Sequence, residues 1–293
     1  MAAGYTTTTS LAELIPEITY TAAYIYQDKA IGRALVNFKD ISGQKGKTAE
    51  FPRWTEVSGS TGVTETGTPT SHAMDLSMPT LTVARRSVYV GLGDLAAVSA
   101  EDVPGIGKAM AMAQAKQDDA AIFGVLTGTT NWGTGTGATN AAFSLEYVKD
   151  GILLLEKNEV DDQLVIVVHP HQYDAIRDQL TAVTSATTDS SLYNTPQGGE
   201  MLRTAFVSDL FGAAWFKSNR IGSGTVTATA NVYNGLLFAR GEGIGYAYKS
   251  MLVNGIEHQR DAINAINHMV MNYADSAGVV YGSAVCKLYS TSG

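Results

Sequence analysis

Apolar and polar positions along the chain change period several times, and each change marks an element. After a polar leader at Thr6–Thr9, the apolar residues Leu11, Leu14, Ile15, Ile18, Tyr24 and Ile25 are scattered. Pro16 interrupts any long helix there, so only a short helix is expected, over about residues 22–36. Such a stretch has little of its own to pack against and reads as an extended arm lying on another part of the fold or on a neighbour. From Lys47, KTAEFPRWTEV is strand-like, with Phe51, Trp54 and Val57 apolar. A stretch rich in Gly and Thr follows, and LSMPTLTVARRSVYVGLGDL then alternates as a second strand. Two long strands joined by a Gly- and Thr-rich tip predict a protruding hairpin. Pro52 and Pro79 sit where an edge strand tolerates them.

The period then becomes helical. Asp94 can cap a short helix through Ser99, and Glu101, Asp102 and Pro104 make a second helix start. Met110, Ala113, Ala120 and Phe123 follow near helical spacing, which predicts a helix of about 20 residues, roughly 30 Å long. A loop, TGTTNWGTGTGATN, follows. Residues 144–268 alternate helix and strand: a helix from Ser144, a buried strand QLVIVVHP, a short helix HQYDAIRDQL, and strand-like segments ending in IGYAYKS. The last stretch, Ile266–Ala274 and Gly278–Tyr289, reads as two strands around a Gly turn. The sum is α+β without a regular βαβ rhythm.

Composition narrows the class. The 293 residues are 45% hydrophobic but only 16% charged, against a usual charged share of about 25%. A protein short of charge must hide surface elsewhere, which points to an assembly with large subunit contacts. The net charge of −8 argues against coating nucleic acid through its phosphates. The lone cysteine, Cys286, can form neither an intrachain disulfide nor a Cys-based zinc site and reads as a small apolar strand residue. No signal peptide and no apolar run long enough for a membrane span are visible, so an intracellular product without a membrane is expected.

Tempting motifs fall short of chemistry. GQKGKT at 43–48 has Ile41 where a phosphate-binding loop needs Gly, and a Pro-containing strand follows instead of a helix. GEGIG at 241–245 has the wrong spacing for a dinucleotide site, and close strand packing or a bulge explains it better. His169 and His171 share a face if on a strand, but Pro170 ends the strand and no third ligand is near in sequence. Asp118–Asp119 and Asp161–Asp162 read as solvated charge. No catalytic, cofactor or metal residue is predicted. Phe51, Trp54, Arg85 and Arg86 lie on the expected hairpin, away from any core, and aromatic and arginine side chains there are the candidates for a subunit interface.

The order of elements resembles the major capsid proteins of tailed bacteriophages, with the Hong Kong 97-like fold. LAELIPEITYTAAYIYQDKAIG is similar to the arm, TAEFPRWTEV with LTVARRSVYVGLGDL to the extended loop, and VPGIGKAMAMAQAKQDDAAIFGVL to the spine helix. LVIVVHPHQYDAIRDQL resembles the strand, Pro-turn and helix of the axial domain, and INHMVMNYADSAGVVYGSAVCKLY the closing peripheral strands. The resemblance implies an N-terminal arm (1–45), an extended loop (46–92), a peripheral domain with spine helix (93–143), an axial domain (144–255) and closing peripheral strands (256–293). It implies a non-enzymatic protein without cofactors. Copies would self-assemble through pentamers and hexamers into an icosahedral shell around double-stranded DNA, in the host bacterial cytoplasm. A portal, a separate scaffolding protein and a decoration or cement protein are the partners it brings. The acidic balance suggests an inner face that lets DNA pack without sticking. An encapsulin-type compartment shell keeps the fold and changes the cargo; a phage tail or tube protein would lack the long helix.

Overall fold

The computed structural model describes residues 31–54, 67, 74–93, 103–125, 136–138, 142–160, 163–185, 209–221, 223–227, 230–250, 256–261, 263–264 and 266–291. The expected arm before residue 31, most of the hairpin tip and the short helix capped by Asp94 lie outside them. In chain order the elements are α1 (Gly32–Leu35), β1 (Asn37–Asp40), β2 (Thr48–Glu50), β3 (Arg53–Trp54), β4 (Leu76–Ser77), β5 (Thr80–Thr82), β6 (Ala84–Gly93) and α2 (Val103–Phe123). They continue with β7 (Thr136–Ala138), α3 (Leu145–Lys157), β8 (Leu164–Val168), α4 (Pro170–Ser185), β9 (Asp209–Leu210), β10 (Ala213–Lys217), β11 (Ser223–Thr227) and β12 (Ala230–Ala239). The last are β13 (Ile244–Ser250), β14 (Glu257–Asp261), β15 (Ile266–Val279) and β16 (Val285–Thr291).

Two sheets organise the chain. The first runs β1-β13-β15-β14, with β6 on the other edge of β15. The second runs β7-β16-β12-β8-β10-β9, with β11 beside β12. The strand LVIVV was read as buried, and all five residues of β8 are buried. Alternation explains how: Ile166 and Val168 enter the cluster under α3, while Val165 and Val167 enter a second cluster with Phe123, Phe238 and Tyr246 on the opposite face. A strand covered on both faces can be apolar throughout. Helix α3 carries Glu146 in its first turn and Lys157 in its last, matching the helix dipole, and buries Val148, Ile152 and Leu155. Pro170 opens α4, where a missing N–H costs nothing.

The long helix α2 joins the two lobes. Met110 and Ala111 pack on Val88, Met269 and Tyr273 of the first sheet. Ile122 and Phe123, at its far end, enter the cluster shared with β8 and β12. The chain also crosses between sheets by short links: β12 to β13 and β15 to β16 each change sheet.

That crossing corrects the expected C-terminal strand pair. Gly278 is no turn; it lies inside β15, opposite Gly245 of β13. The reversal falls at a 3-10 turn, Gly282–Ala284, after which β16 pairs with β12. Gly278 is needed for closeness instead: a Cβ there would collide with Leu81 Cδ2. The division expected at residue 255 is not where the sheets divide, since β13 belongs to the first sheet and β16 to the second.

Candidate assembly surface

The strands of the expected hairpin do pair. Thr48, Ala49 and Glu50 lie opposite Thr82, Leu81 and Thr80, and Arg53 and Trp54 lie opposite Ser77 and Leu76. Between these two short ladders the Phe51 N–H donates to Pro79 O at 2.9 Å. At the body end the return strand leaves the ribbon after Val83, whose N–H donates to Lys47 O at 2.9 Å, and from Ala84 it joins the first sheet instead.

The four candidate interface residues separate into different environments. Phe51 is buried in the subunit's own interior with Ile41, Ala49, Val83, Ala247 and Ala274, so it anchors the ribbon's root. Arg85 and Arg86 are not on the ribbon at all: they belong to β6, opposite Ala274 and Tyr273 of β15. Arg86 Nε makes a 2.5 Å ion pair with the fully buried Asp275. Burial pushes the Asp275 carboxyl above its usual range, and the Arg86 guanidinium holds it back. Arg85 donates to Asn272 Oδ1 at 2.9 Å on the exposed face. Trp54 is exposed on the ribbon itself.

Around Trp54 the ribbon is two-faced. Its Arg53 side turns to the body, with the guanidinium 3.1 Å from the Tyr281 ring centroid. On the Trp54 side, alternation adds Met74 and Met78 to the directly opposed Leu76. Relative exposures are 58% for Trp54, 53% for Met74, 46% for Met78 and 41% for Leu76, so this stripe stands open among the described residues. The sequence reading missed the methionines and Leu76; their spacing at 74, 76 and 78 was the available signal.

The tempting motifs resolve into structure. Carbonyls of Gln44 and Gly46 accept from Lys249 Nζ at 2.6 and 2.7 Å, so the GQKGKT turn holds a cation with oxygens rather than a phosphate with N–H groups. In GEGIG, a Cβ on Gly243 would lie 2.7 Å from Val285 Cγ2, and one on Gly245 2.5 Å from Val280 Cγ2, in line with close packing. His169 stacks on His171 and on Tyr233, its centroid 4.4 Å from the tyrosine ring, while His171 lies tilted against Tyr233 at 4.7 Å. His169 Nδ1 accepts from the His171 N–H at 3.3 Å. Burial, then His171, lowers the His169 pKa below its ordinary value. Cys286 is buried within β16. Among the described residues no group of three His, Cys, Asp or Glu could hold a metal, and no helix is long and apolar enough to cross a membrane.

Asp118 and Asp119 overturn the expectation of solvated charge: both are buried. Arg33 reaches Asp118 at 3.0 Å, while Arg220 pairs with Asp119, which also accepts the Gly32 N–H at 2.9 Å. Burial pushes the Asp119 carboxyl up, opposed by that N–H and by Arg220. The partners lie 85 and 101 residues away, beyond any local pattern. Adjacent helix positions point to different sides, so each acid serves a different partner.

With the two-lobed body and the uncovered ribbon described, similarity to known proteins becomes decisive. The family model described as "Phage capsid protein" matches residues 57–283. The chain belongs to the phage capsid protein family. No curated protein sequence matches this capsid chain. Solved structures show that its fold is the Hong Kong 97-like capsid fold. A structure from Mycobacterium phage Che8 matches with a TM-score of 0.64 at 17% identity, over 88% of this chain and 90% of that one. The capsid of cyanophage P-SCSP1u matches at 0.62 and 18% identity, over 90% and 89%. The SrpI encapsulin of Synechococcus elongatus PCC 7942 matches at 0.58 and 12% identity, over 87% and 84%. The family makes this capsid chain a structural protein of the virion that assembles with its own kind.

Proposed function

We propose that the chain is the major capsid protein of a tailed double-stranded DNA bacteriophage, closing through pentamers and hexamers into an icosahedral shell around the genome. The observation that carries this reading is the ribbon's uncovered stripe of Trp54, Met74, Leu76 and Met78. An apolar stripe exposed in the lone subunit gains stability only by lying on another surface. In a chain of self-assembling copies, that surface is the neighbour. A repeated head-to-tail contact of this kind closes into rings when the rotation allows it. In this reading the ribbon rooted at Phe51 belongs to the extended loop and the chain before α1 to the arm, while β1 and β6, which the expected 1–45 and 46–92 segments include, are strands of the first sheet. The lobe of the first sheet with α2 as spine helix is the peripheral domain, and the lobe of the second sheet is the axial domain. Arg85 then contributes from the exposed face of the peripheral sheet, and Arg86 and Phe51 support the loop from inside. A portal, a separate scaffolding protein and a decoration protein complete the particle in the host cytoplasm.

Electron microscopy of the purified chain tests the reading. Closed shells with pentameric and hexameric units are expected; monomers or small rods under all assembly conditions would overturn it. Changing Trp54→Ala together with Leu76→Ala should abolish shells while moving subunit stability by only about 0.5 kcal/mol per site, since exposed side chains lose little on truncation. Unchanged shells from that variant would remove the stripe from the interface. The encapsulin-type reading, supported by the likeness to SrpI, is separated by content: a protein cargo in place of DNA.

A further inference from the structure

The exposed side of α2 carries charge of one sign. Its exposed positions are Lys108, Ala109, Lys116 and Ala120, and Met112 and Ala113 lie half-buried beside them. The acids of this helix among the described residues, Asp118 and Asp119, are turned inward and neutralised by Arg33 and Arg220. Neither Lys108 nor Lys116 has an ion pair among the described residues. In a chain with 28 acids and 20 lysines and arginines, a helix of 21 residues whose solvent side shows only cations runs against the bulk balance. The small side chains of Ala109, Ala113 and Ala120, with Met112 partly sunk into the body, keep the surface low. A large partner can therefore approach the helix closely.

We propose that this lysine-bearing ridge of α2 contacts the phosphate backbone of the packaged duplex. The spacing fits: eight residues of helix separate the lysines by about 12 Å along the axis and by roughly 80° around it. That matches the roughly 12 Å width of the major groove of B-DNA, so the two ammonium groups reach phosphates on its opposite rims. The contact carries no sequence information, as phosphate contacts do not. It is weak per subunit and gains strength from the many copies in a shell. The overall charge of −8 keeps the remaining surface repulsive, so the duplex would be touched at defined ridges and held off elsewhere.

This inference rests on the capsid reading for the identity of the polyanion. The test measures binding of a random-sequence duplex of about 30 base pairs to the full chain, by fluorescence anisotropy over about 25–200 mM salt. Lys108→Gln with Lys116→Gln should lower affinity about tenfold at the low-salt end and reduce the slope of log affinity against log salt by about 2. Lys149→Gln with Lys157→Gln, an equal charge change on exposed positions of α3, should leave both nearly unchanged. Equal losses from the two pairs, or no loss from the first, would overturn the proposal. So would loss of shells with unchanged duplex binding, which would assign the ridge to a protein neighbour. Electron microscopy of the same preparations separates the failures. Normal shells with unaltered binding defeat only the ridge, whereas absence of shells in the unmodified chain defeats the capsid reading.

Discussion

Strand β8 and the ribbon of β3 and β4 both carry large apolar side chains, yet those side chains end in opposite environments. All five residues of β8 are buried, whereas Arg53, Trp54, Leu76 and Ser77 are all exposed. In β8 every apolar group meets a partner from its own chain, because helices cover one face and β13 with the end of α2 cover the other. In the ribbon only one face meets the body, through Phe51 and Arg53. The same hydrophobic driving force therefore stabilises the subunit in one place and stays unsatisfied among the described residues in the other.

The contrast can be broken first at its buried end. Ile166→Ala should destabilise the subunit by about 2–5 kcal/mol, because the site is sealed on all sides and leaves a cavity. Chemical denaturation would read this as a lower midpoint, and a change under about 1 kcal/mol would mean that β8 can collapse around the gap. The loss should appear in the free subunit, before any assembly, unlike the loss from the Trp54 and Leu76 pair.

Neighbouring arginines sharpen the comparison at intermediate size. Arg86→Ala strands the buried Asp275 and should cost about 2–3 kcal/mol of subunit stability, less than a fully buried pair because the guanidinium is partly open to solvent. Arg85→Ala removes only an exposed hydrogen bond and should cost about 0.5 kcal/mol or less. Thermal melts of the two single variants check this. Equal melting temperatures would show that Asp275 finds another partner or takes up a proton.

His169 gives the smallest expected effect. Its folded pKa lies below the ordinary value of 6.5, so the folded state binds a proton less readily than the unfolded one. Its contribution to stability is therefore present above pH 6.5 and is lost as the pH falls through that value toward the folded pKa. Melting temperature should decline slightly on acidification in this range, and His169→Asn, which keeps an acceptor for the His171 N–H without titrating there, should flatten the decline. An identical decline in both proteins would place the effect elsewhere.

Much of this architecture was legible because local pattern and final environment agree. The continuous run of β8, the position and length of α2 and the pairing of 48–54 with 76–82 all follow from neighbours in sequence. What stayed hidden depends on distant partners. The burial of Asp118 and Asp119 is set by Arg33 and Arg220, and a carboxylate is spoken for inside a protein only when such partners arrive. The move of Arg85 and Arg86 from the ribbon into a sheet depends on β15, almost two hundred residues later. At the candidate surface, Trp54 stood out by type, while Met74 was lost in a segment judged by its Gly and Thr content and Leu76 and Met78 were read only as the start of the return strand. Phe51 shows the converse: its type suggested an interface, and the close approach at Gly245, whose Cβ would fall 3.2 Å from the Phe51 ring, shows how tightly it is held at home.

The two short links between the sheets have a mechanical meaning. They run side by side and are tied together, since Gly243 O accepts from both the Val280 N–H at 3.0 Å and the Tyr281 N–H at 3.2 Å. A force drawing the lobes apart therefore loads both strands in parallel, through a seam where Gly243 leaves no slack against Ala284 and Val285. Strain imposed on such a subunit would be shared between these two links and the longer covalent span through α2 rather than concentrated on one.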